Sequence, residues 1–263
     1  MNHALKTFHP PSFSPRFIPV WRRNFLVWKK LAIPSVLGNL ADPLFILFGL
    51  GYGLGSLVPQ VEGLPYLTFL AAGTLCYGTM NSATFETLYS SFSRMHVQKT
   101  WDAILMAPVN LDDVMLGELV WAACKSLLSG SAILLVIWVF GLSESPLVLF
   151  VIPLAFLIGL TFAGMGLVMT ALSPSYDFFM YYITLVTTPM MLLSGVFFPV
   201  SQLPEAFQTI ACVLPLTHAV ELVRPLVIGQ IPEQIALHLA VLIAYALIGY
   251  LAALALMRRR LLS

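Results

Sequence analysis

Six long apolar stretches constrain the fold of this 263-residue chain more than any other feature. A helix needs about 20 mostly apolar residues to cross ~30 Å of hydrocarbon, because backbone polar groups in lipid must pair within their own segment. Only 10% of the residues are charged, against roughly 25% in soluble domains. The sequence therefore predicts an all-α membrane protein with six transmembrane helices. The predicted spans are residues 42–58, 65–90, 114–140, 146–172, 178–198 and 234–257.

Lysine and arginine are concentrated in connections that six crossings place on one side of the membrane. Eleven of the 13 lie before the first span, between the second and third, or after the last. Cytoplasmic loops carry an excess of these residues, so both termini of the multi-pass chain are predicted to be cytoplasmic. The first 34 residues contain no uninterrupted apolar core of a cleavable signal. The eleven residues are Lys6, Arg16, Arg22, Arg23, Lys29, Lys30, Arg94, Lys99, Arg258, Arg259 and Arg260.

The N-terminal 40 residues are predicted to form a cytoplasmic segment with an amphipathic helix, and residues 41–263 the transmembrane domain. At 100° per residue, aromatic side chains fall on one face of the helix and cations on the opposite face. Such a helix lies in the membrane interface, with its cations toward anionic lipid. It is either an ordinary basic anchor or a lever along the cytoplasmic leaflet. The residues are Trp21, Phe25 and Trp28 on one face, and Arg22, Arg23, Lys29 and Lys30 on the other.

Residues 91–113 form the long polar connection on the predicted cytoplasmic side. Thr100 is predicted to cap a short helix over residues 101–106, which Pro108 ends. Asn110 then begins the next helix, with acidic residues in its first turn. The short helix is expected to present Trp101, Ile104 and Leu105 outside the membrane, where lipid or a protein groove must cover them. Residues 199–230 are predicted to form short helices on the outer side.

Glu86, Glu118 and Lys125 fall inside predicted spans, where each charge costs at least ~2.5–3.5 kcal/mol. Glu118 and Lys125 lie on one face, seven residues and ~10 Å apart. We expect them to form a cluster with Glu86 that packs the second and third spans together near the inner gate. The cluster is either a static ion pair or part of the transport machinery.

Motifs for catalysis are missing from the sequence. No GxxxxGK[ST] phosphate-binding loop occurs, so if ATP drives this protein another chain must bind it. No HExxH or nucleophile motif occurs, and the three cysteines have no CxxC spacing. We predict no catalytic residue, no metal site, no cofactor in this chain and no nucleic-acid partner.

Four segments resemble the ABC-2 type permeases. The sequence LSGVFFPVSQLP from Leu193 and LPLTHAVELVRPL from Leu214 resemble the family signature. APVNLDDVMLGE from Ala107 and FGLGYGLG from Phe48 are similar to the nodulation protein J subfamily in particular. The resemblance covers residues 18–260 in order.

This resemblance implies an ABC-2 (type V exporter-like) permease fold in the bacterial inner membrane, with two permease copies and a P-loop ATPase similar to nodulation protein I. ATP and magnesium would bind the ATPase. It also implies export of an amphiphilic glycolipid or lipo-oligosaccharide-like cargo. By resemblance, the interface helix and the segment after the second span contact the ATPase, and Phe197, Phe198 and Pro199 form an outer gate. The coupling residues would be Lys99, Trp101, Asp102, Leu105 and Pro108.

Two other functions are compatible with a polytopic membrane protein. An ion-driven secondary transporter would have inverted repeats and paired carboxylates at the membrane midplane. A membrane-embedded enzyme acting on lipid-linked sugars would need an acid, a base or metal ligands converging at one interface. A non-transporting membrane scaffold is a further alternative. Co-purification with an ATPase, and vanadate-sensitive ATP hydrolysis stimulated by this chain, would distinguish the exporter from all three.

Overall fold

Helices make up most of the molecule, of which the computed structural model describes residue 11 and residues 14–262. A hairpin of two-residue strands, β1 (Gln60–Val61) and β2 (Leu64–Pro65), precedes the third helix. Lys6 and the other residues before position 11 lie outside the described residues. The helices are α1 (Phe17–Lys29), α2 (Ala32–Gly53), α3 (Tyr66–Phe85), α4 (Thr100–Leu105), α5 (Leu111–Val139), α6 (Val151–Leu172), α7 (Phe178–Tyr182), α8 (Thr188–Leu193), α9 (Glu205–Ala211), α10 (Pro215–Val227) and α11 (Ile235–Leu262).

Four helices within the described residues are long and apolar enough to cross a membrane. The pair α9 and α10, bent by 82°, is a fifth candidate if it counts as one span. The chain is therefore an all-helical, multi-pass membrane protein with four to five candidate spans. The four are Ala32–Gly53, Leu111–Val139, Pro146–Leu172 and Ile235–Leu261.

The predicted second and fifth spans are helical, but they are not among the helices that are both long and apolar enough to cross a membrane. The second corresponds to α3, which is rich in Thr, Ser and Asn and is largely buried by other helices. The fifth corresponds to Phe178–Leu193, a shorter apolar helix. Its middle, Ile183–Thr187, is π-helical just before Pro189, and Gly195 has φ of 74° beyond its end. A π-helical turn followed by a helix end therefore interrupts this segment.

The predicted start of the first span at residue 42 is wrong. The amphipathic helix ends at Lys29, and α2 begins at Ala32 and continues through Pro43. Proline removes one backbone hydrogen bond and bends a helix, but Pro43 does not end α2. Residues 32–40 consequently belong to the first span, and Asp42 lies in the middle of α2.

Close glycine contacts bring α5, α6 and α11 together in the core. A Cβ on Gly249 would lie 2.8 Å from the Gly164 carbonyl carbon, and one on Gly159 would lie 2.8 Å from the Ala123 Cα. Small residues let membrane helices approach closely. These contacts place α6 between α5 and α11, with α3 packed on α5 and α6.

Candidate coupling site

A buried carboxylate, Glu118 of α5, accepts hydrogen bonds from four different side chains. The side chain of Arg94 donates through Nε, at 3.0 Å, and through Nη2. The other donors are Asn24 Nδ2 at 3.1 Å, Ser91 Oγ at 2.6 Å and Trp101 Nε1 at 3.2 Å. Because these residues come from α1, from the segment after α3 and from α4, one carboxylate joins four parts of the chain.

Glu86 extends the same network toward the interior of the bundle. It accepts hydrogen bonds from Arg94 Nη2 at 2.8 Å, from Trp121 Nε1 at 2.9 Å and from Lys125 Nζ at 2.9 Å. Two carboxylates and two cations therefore balance in a site where Glu86 is 3% and Glu118 1% exposed. Breaking a buried ion pair by removing one partner costs ~3–5 kcal/mol, because the remaining charge is left uncompensated. The structure thus places the three predicted residues in one cluster.

Arg94 and Asn24 are residues of this network that sequence reasoning missed, and Arg94 is the charged one. It was counted as one of the cytoplasmic cations, but it is 9% exposed and lies between both carboxylates. The helix after α3 continues as two π-helical segments, Glu86–Ser91 and Ser93–Val97, and these carry Arg94 back to α5. The signal in the sequence was the pair of glutamates, whose charge one lysine alone does not balance.

The amphipathic helix α1 packs its aromatic face on protein. Trp21 stacks on Phe25, and both Phe25 and Trp28 contact Trp121 of α5 edge-on. The opposite face holds the exposed cations Arg22, Lys29 and Lys30. The predicted separation of rings and cations is therefore present, although the rings contact α5 and not only lipid.

Arg23 is the exception on the cationic face of α1. Its guanidinium donates to Asn24 Oδ1 at 3.0 Å and lies 3.4 Å from Thr100 Oγ1 of α4. Burial and the neighbouring Arg94 lower the pKa of Arg23 from its usual range, and Glu118 raises it. Through these contacts α1 reaches α4 directly.

The short helix α4 differs from its prediction in two respects. Trp101 is fully buried, so the expectation that it is exposed for an outside partner is wrong; its indole donates to Glu118 instead. Thr100 is the first helical residue and not a cap, because Lys99 occupies the capping position in a left-handed conformation with φ of 54°. Leu105 is half-buried, whereas Asp102 is exposed.

The loop after α4 contacts the residues before α1. Arg16 Nη1 donates to the Pro108 carbonyl at 2.8 Å, and Ser14 Oγ donates to Asp113 Oδ1 at 2.7 Å. Asn110 and Asp113 form the reciprocal cap of α5, as predicted from the acidic first turn. The start of α5 is thus fixed to the same surface as α1 and α4.

The last helix is joined to this surface by two arginines. Arg258 donates to Asp112 through Nε at 3.0 Å and through Nη2 at 2.5 Å. Arg260 donates to the carbonyls of Thr170, Ala171 and Ser173, the unpaired acceptors at the end of α6. These contacts place the end of α11 beside the first turn of α5.

The predicted outer-gate residues lie at the opposite end of the molecule. Phe197, Phe198 and Pro199 line a cavity of about 680 Å³ together with residues from the end of α2 and from the hairpin. The Phe197 carbonyl accepts a hydrogen bond from Tyr66 Oη at 3.3 Å. Nearby, Arg224 donates to the Gly195 carbonyl and lies 3.7 Å over the Phe69 ring. The aromatic segment is held in place, and its role as a gate stays a prediction.

Fold and site together define a class of protein. Several apolar helices are long enough to span a membrane, and surface helices at one end contact the spans through a buried ionic network. This arrangement is that of a membrane-embedded transport subunit, with the coupling elements gathered on one surface.

Comparison with known proteins gives the family. The family model described as ABC-2 type transporter matches residues 16–228, so this chain belongs to the ABC-2 type transporter family. It is 48% identical to nodulation protein J of Rhizobium leguminosarum bv. viciae, over 96% of this chain and 97% of that protein. It is 49% identical to nodulation protein J of Bradyrhizobium diazoefficiens, over 96% of each. It is 23% identical to the inner membrane transport permease YadH of Escherichia coli, over 90% of this chain.

Family membership decides among the functions that the sequence left open. The chain is the membrane subunit of an ATP-binding cassette transporter and a transport component without a catalytic domain. An ATPase of the same transporter class is its partner.

Proposed function

We propose that this chain is the permease of an exporter that moves an amphiphilic glycolipid or lipo-oligosaccharide-like cargo outward across the bacterial inner membrane. Two copies of the chain pair with two P-loop ATPase subunits similar to nodulation protein I, which bind ATP and magnesium. The observation that carries this proposal is the 48% identity to nodulation protein J over nearly the full length of both chains. The relative named as an inner membrane permease supports the location.

The proposed topology has six spans with both termini in the cytoplasm. It adds α3 and the helix of residues 178–193 to the four candidate spans. A helix that other helices enclose on most sides needs little apolar surface facing lipid, which suits α3. Six crossings also bring the cationic face of α1, the segment around α4 and the arginines of α11 to one side, as the bias of basic residues toward the cytoplasm requires.

ATP-driven motion is proposed to enter through α1 and α4. The cations Arg22, Lys29 and Lys30 and the side chain of Asp102 are exposed on this surface. Met106, directly after α4, is 89% exposed and offers an apolar contact. A force on either helix reaches α5 and the end of α3 through Glu118, because both helices donate hydrogen bonds to that carboxylate. Lys99, Leu105 and Pro108 complete the coupling segment.

The docking surface is tested with a pair of matched variants. Met106→Asp introduces a charge at the exposed apolar position that follows α4. Ile231→Asp introduces the same charge at a position of the predicted outer side whose side chain is 74% exposed. Both variants should fold, since neither side chain is buried. Met106→Asp is expected to reduce co-purification with the ATPase, and cargo-stimulated ATP hydrolysis, by about tenfold or more, whereas Ile231→Asp leaves both unchanged. Equal binding of the ATPase to both variants would contradict the proposed surface.

A further inference from the structure

A cavity of about 540 Å³ that several polar side chains line together with apolar ones lies between α2, α3 and the helix of residues 178–193. Its volume is within the ~300–1,000 Å³ typical of ligand pockets. The lining contains a carboxylate, two carboxamides, a phenol and hydroxyl groups, which is an unusual set between apolar helices. These polar residues are Asn39, Asp42, Tyr77, Asn81, Ser82, Thr187 and Thr188.

Asp42 gives this cavity a charge in the middle of a candidate membrane span. It is the eleventh of the 22 residues of α2 and the only charged residue in that helix. A carboxylate at this depth is costly to insert, and such residues usually face a polar path or a partner. The side chain of Asp42 is exposed in the single chain and lines the cavity, which offers its carboxylate polar neighbours within the span.

Further polar groups in the cavity have unused hydrogen-bonding capacity. Pro43 has no N–H, and therefore the helical hydrogen bond to the Asn39 carbonyl is missing. The Ser82 hydroxyl is buried, at 3% exposure, and has no hydrogen-bond partner among the described residues. Buried polar groups without partners are rare and call for an explanation such as a ligand. Asn39, with its free carbonyl, and Ser82 both line the cavity.

The charge of the lining restricts what can bind. Among the residues that the structure describes, no Lys, Arg or His lines the cavity, and the one formal charge of this lining is negative. We propose that this cavity binds the hydroxyl-rich, saccharide-type head group of the cargo and disfavours head groups with a negative charge, such as phosphate. This inference rests on the proposed export function and specifies how the permease selects the cargo from the anionic lipids of the membrane.

The test measures head-group binding by the full-length permease in nanodiscs, without the ATPase. Cys76, Cys124 and Cys212 are replaced, and Thr188→Cys places one thiol at the exposed cavity wall. Dodecyl maltoside and dodecyl phosphate, which share an alkyl chain, are the probes. Dodecyl maltoside is expected to slow maleimide labelling at concentrations at least about tenfold lower than dodecyl phosphate does, since its hydroxyl groups can donate hydrogen bonds to the Asp42 carboxylate and the phosphate is repelled by it.

Asp42→Asn keeps the size of the side chain and removes the charge. It is expected to weaken maltoside protection about tenfold and to strengthen phosphate protection, because the repulsion is gone. Ser82→Ala removes a hydroxyl that has no partner, so it should fold normally and weaken only maltoside protection. Glu205→Gln makes the same charge change at an exposed position away from the cavity. It should change neither maltoside protection nor phosphate protection.

Equal protection by both probes in the parent chain, or an unchanged ratio in Asp42→Asn, would overturn the inference. If ATP hydrolysis nevertheless responds to a glycolipid, the export proposal stands and only the assignment of the cavity is overturned. If labelling depends on the head group but no ATPase binds the chain, the cavity assignment is supported and the exporter is not.

Discussion

Among single residues, Glu118 is where the elements of the coupling surface converge. Its two oxygens accept from Arg94, Asn24, Ser91 and Trp101. Five hydrogen bonds on one buried carboxylate satisfy its charge, but they also make every donor depend on it. A change here should therefore affect both the stability of the fold and the transmission between α4 and the spans.

Glu118→Gln tests this dependence. The substitution keeps the shape of the side chain but leaves Glu86 as the only carboxylate facing Arg94 and Lys125. We expect the free energy of unfolding to fall by ~3–5 kcal/mol, because a buried positive charge is left uncompensated. The midpoint of thermal unfolding of the detergent-solubilised protein measures the loss. Glu144→Gln, at an exposed position between α5 and α6, is the matched control, and an equal effect of both variants would contradict a buried network.

Sequence reasoning found both glutamates and the lysine at this site but not Arg94 or Asn24. Glutamates within apolar spans are conspicuous because their insertion is costly. Arg94 was hidden by its position in a polar connection, where a cation is expected to be solvated. Only the π-helical turn of the backbone brings it inward, and no residue pattern in 86–97 indicates that turn.

At the level of helices, small residues decide which elements approach closely. Gly249 of α11 faces the backbone of Gly164 in α6, whereas Gly49 of α2 has nothing within 4 Å of its missing Cβ. The same substitution should therefore have opposite effects at the two positions. Helix propensity favours alanine over glycine by ~1 kcal/mol, and only at Gly249 does a close contact outweigh that gain.

Gly249→Ala is accordingly expected to destabilise the protein by ~1–3 kcal/mol, the usual effect of overpacking. Gly49→Ala is expected to be neutral or to stabilise it by up to ~1 kcal/mol. Thermal unfolding in one detergent measures both. A loss of stability in Gly49→Ala as large as that in Gly249→Ala would show that a second surface, absent from the single chain, covers this face of α2.

Helix positions were predictable where apolar residues run uninterrupted, and less so at proline. The helices α5, α6 and α11 closely follow the apolar stretches, whereas α2 begins about ten residues before the predicted span. Asp42 and Pro43 together resembled the beginning of a span. A proline within a long apolar helix is tolerated when neighbouring groups replace its lost hydrogen bond, and sequence periodicity does not contain that information.

For the whole molecule, the number of crossings determines which surface faces the ATPase. The helix of residues 178–193 is about 24 Å long at 1.5 Å per residue, which is shorter than the ~30 Å hydrocarbon core. Local thinning of the bilayer accommodates a short span at modest cost. A six-span chain therefore requires that the two ends of this helix lie on opposite sides of the membrane.

Single cysteines in a cysteine-free chain test the whole arrangement at five exposed positions, Lys30, Glu62, Gln98, Ser175 and Glu205. An impermeant maleimide added to the periplasmic side is expected to label only Glu62→Cys and Glu205→Cys, because the apolar spans separate them from the basic surface. The other three should react only after the inner membrane is permeabilised. Labelling of Ser175→Cys and Glu205→Cys from the same side would make residues 178–193 a re-entrant segment. In that case α11 would end outside, and the contacts of Arg258 and Arg260 with α5 and α6 could not lie on the ATPase side.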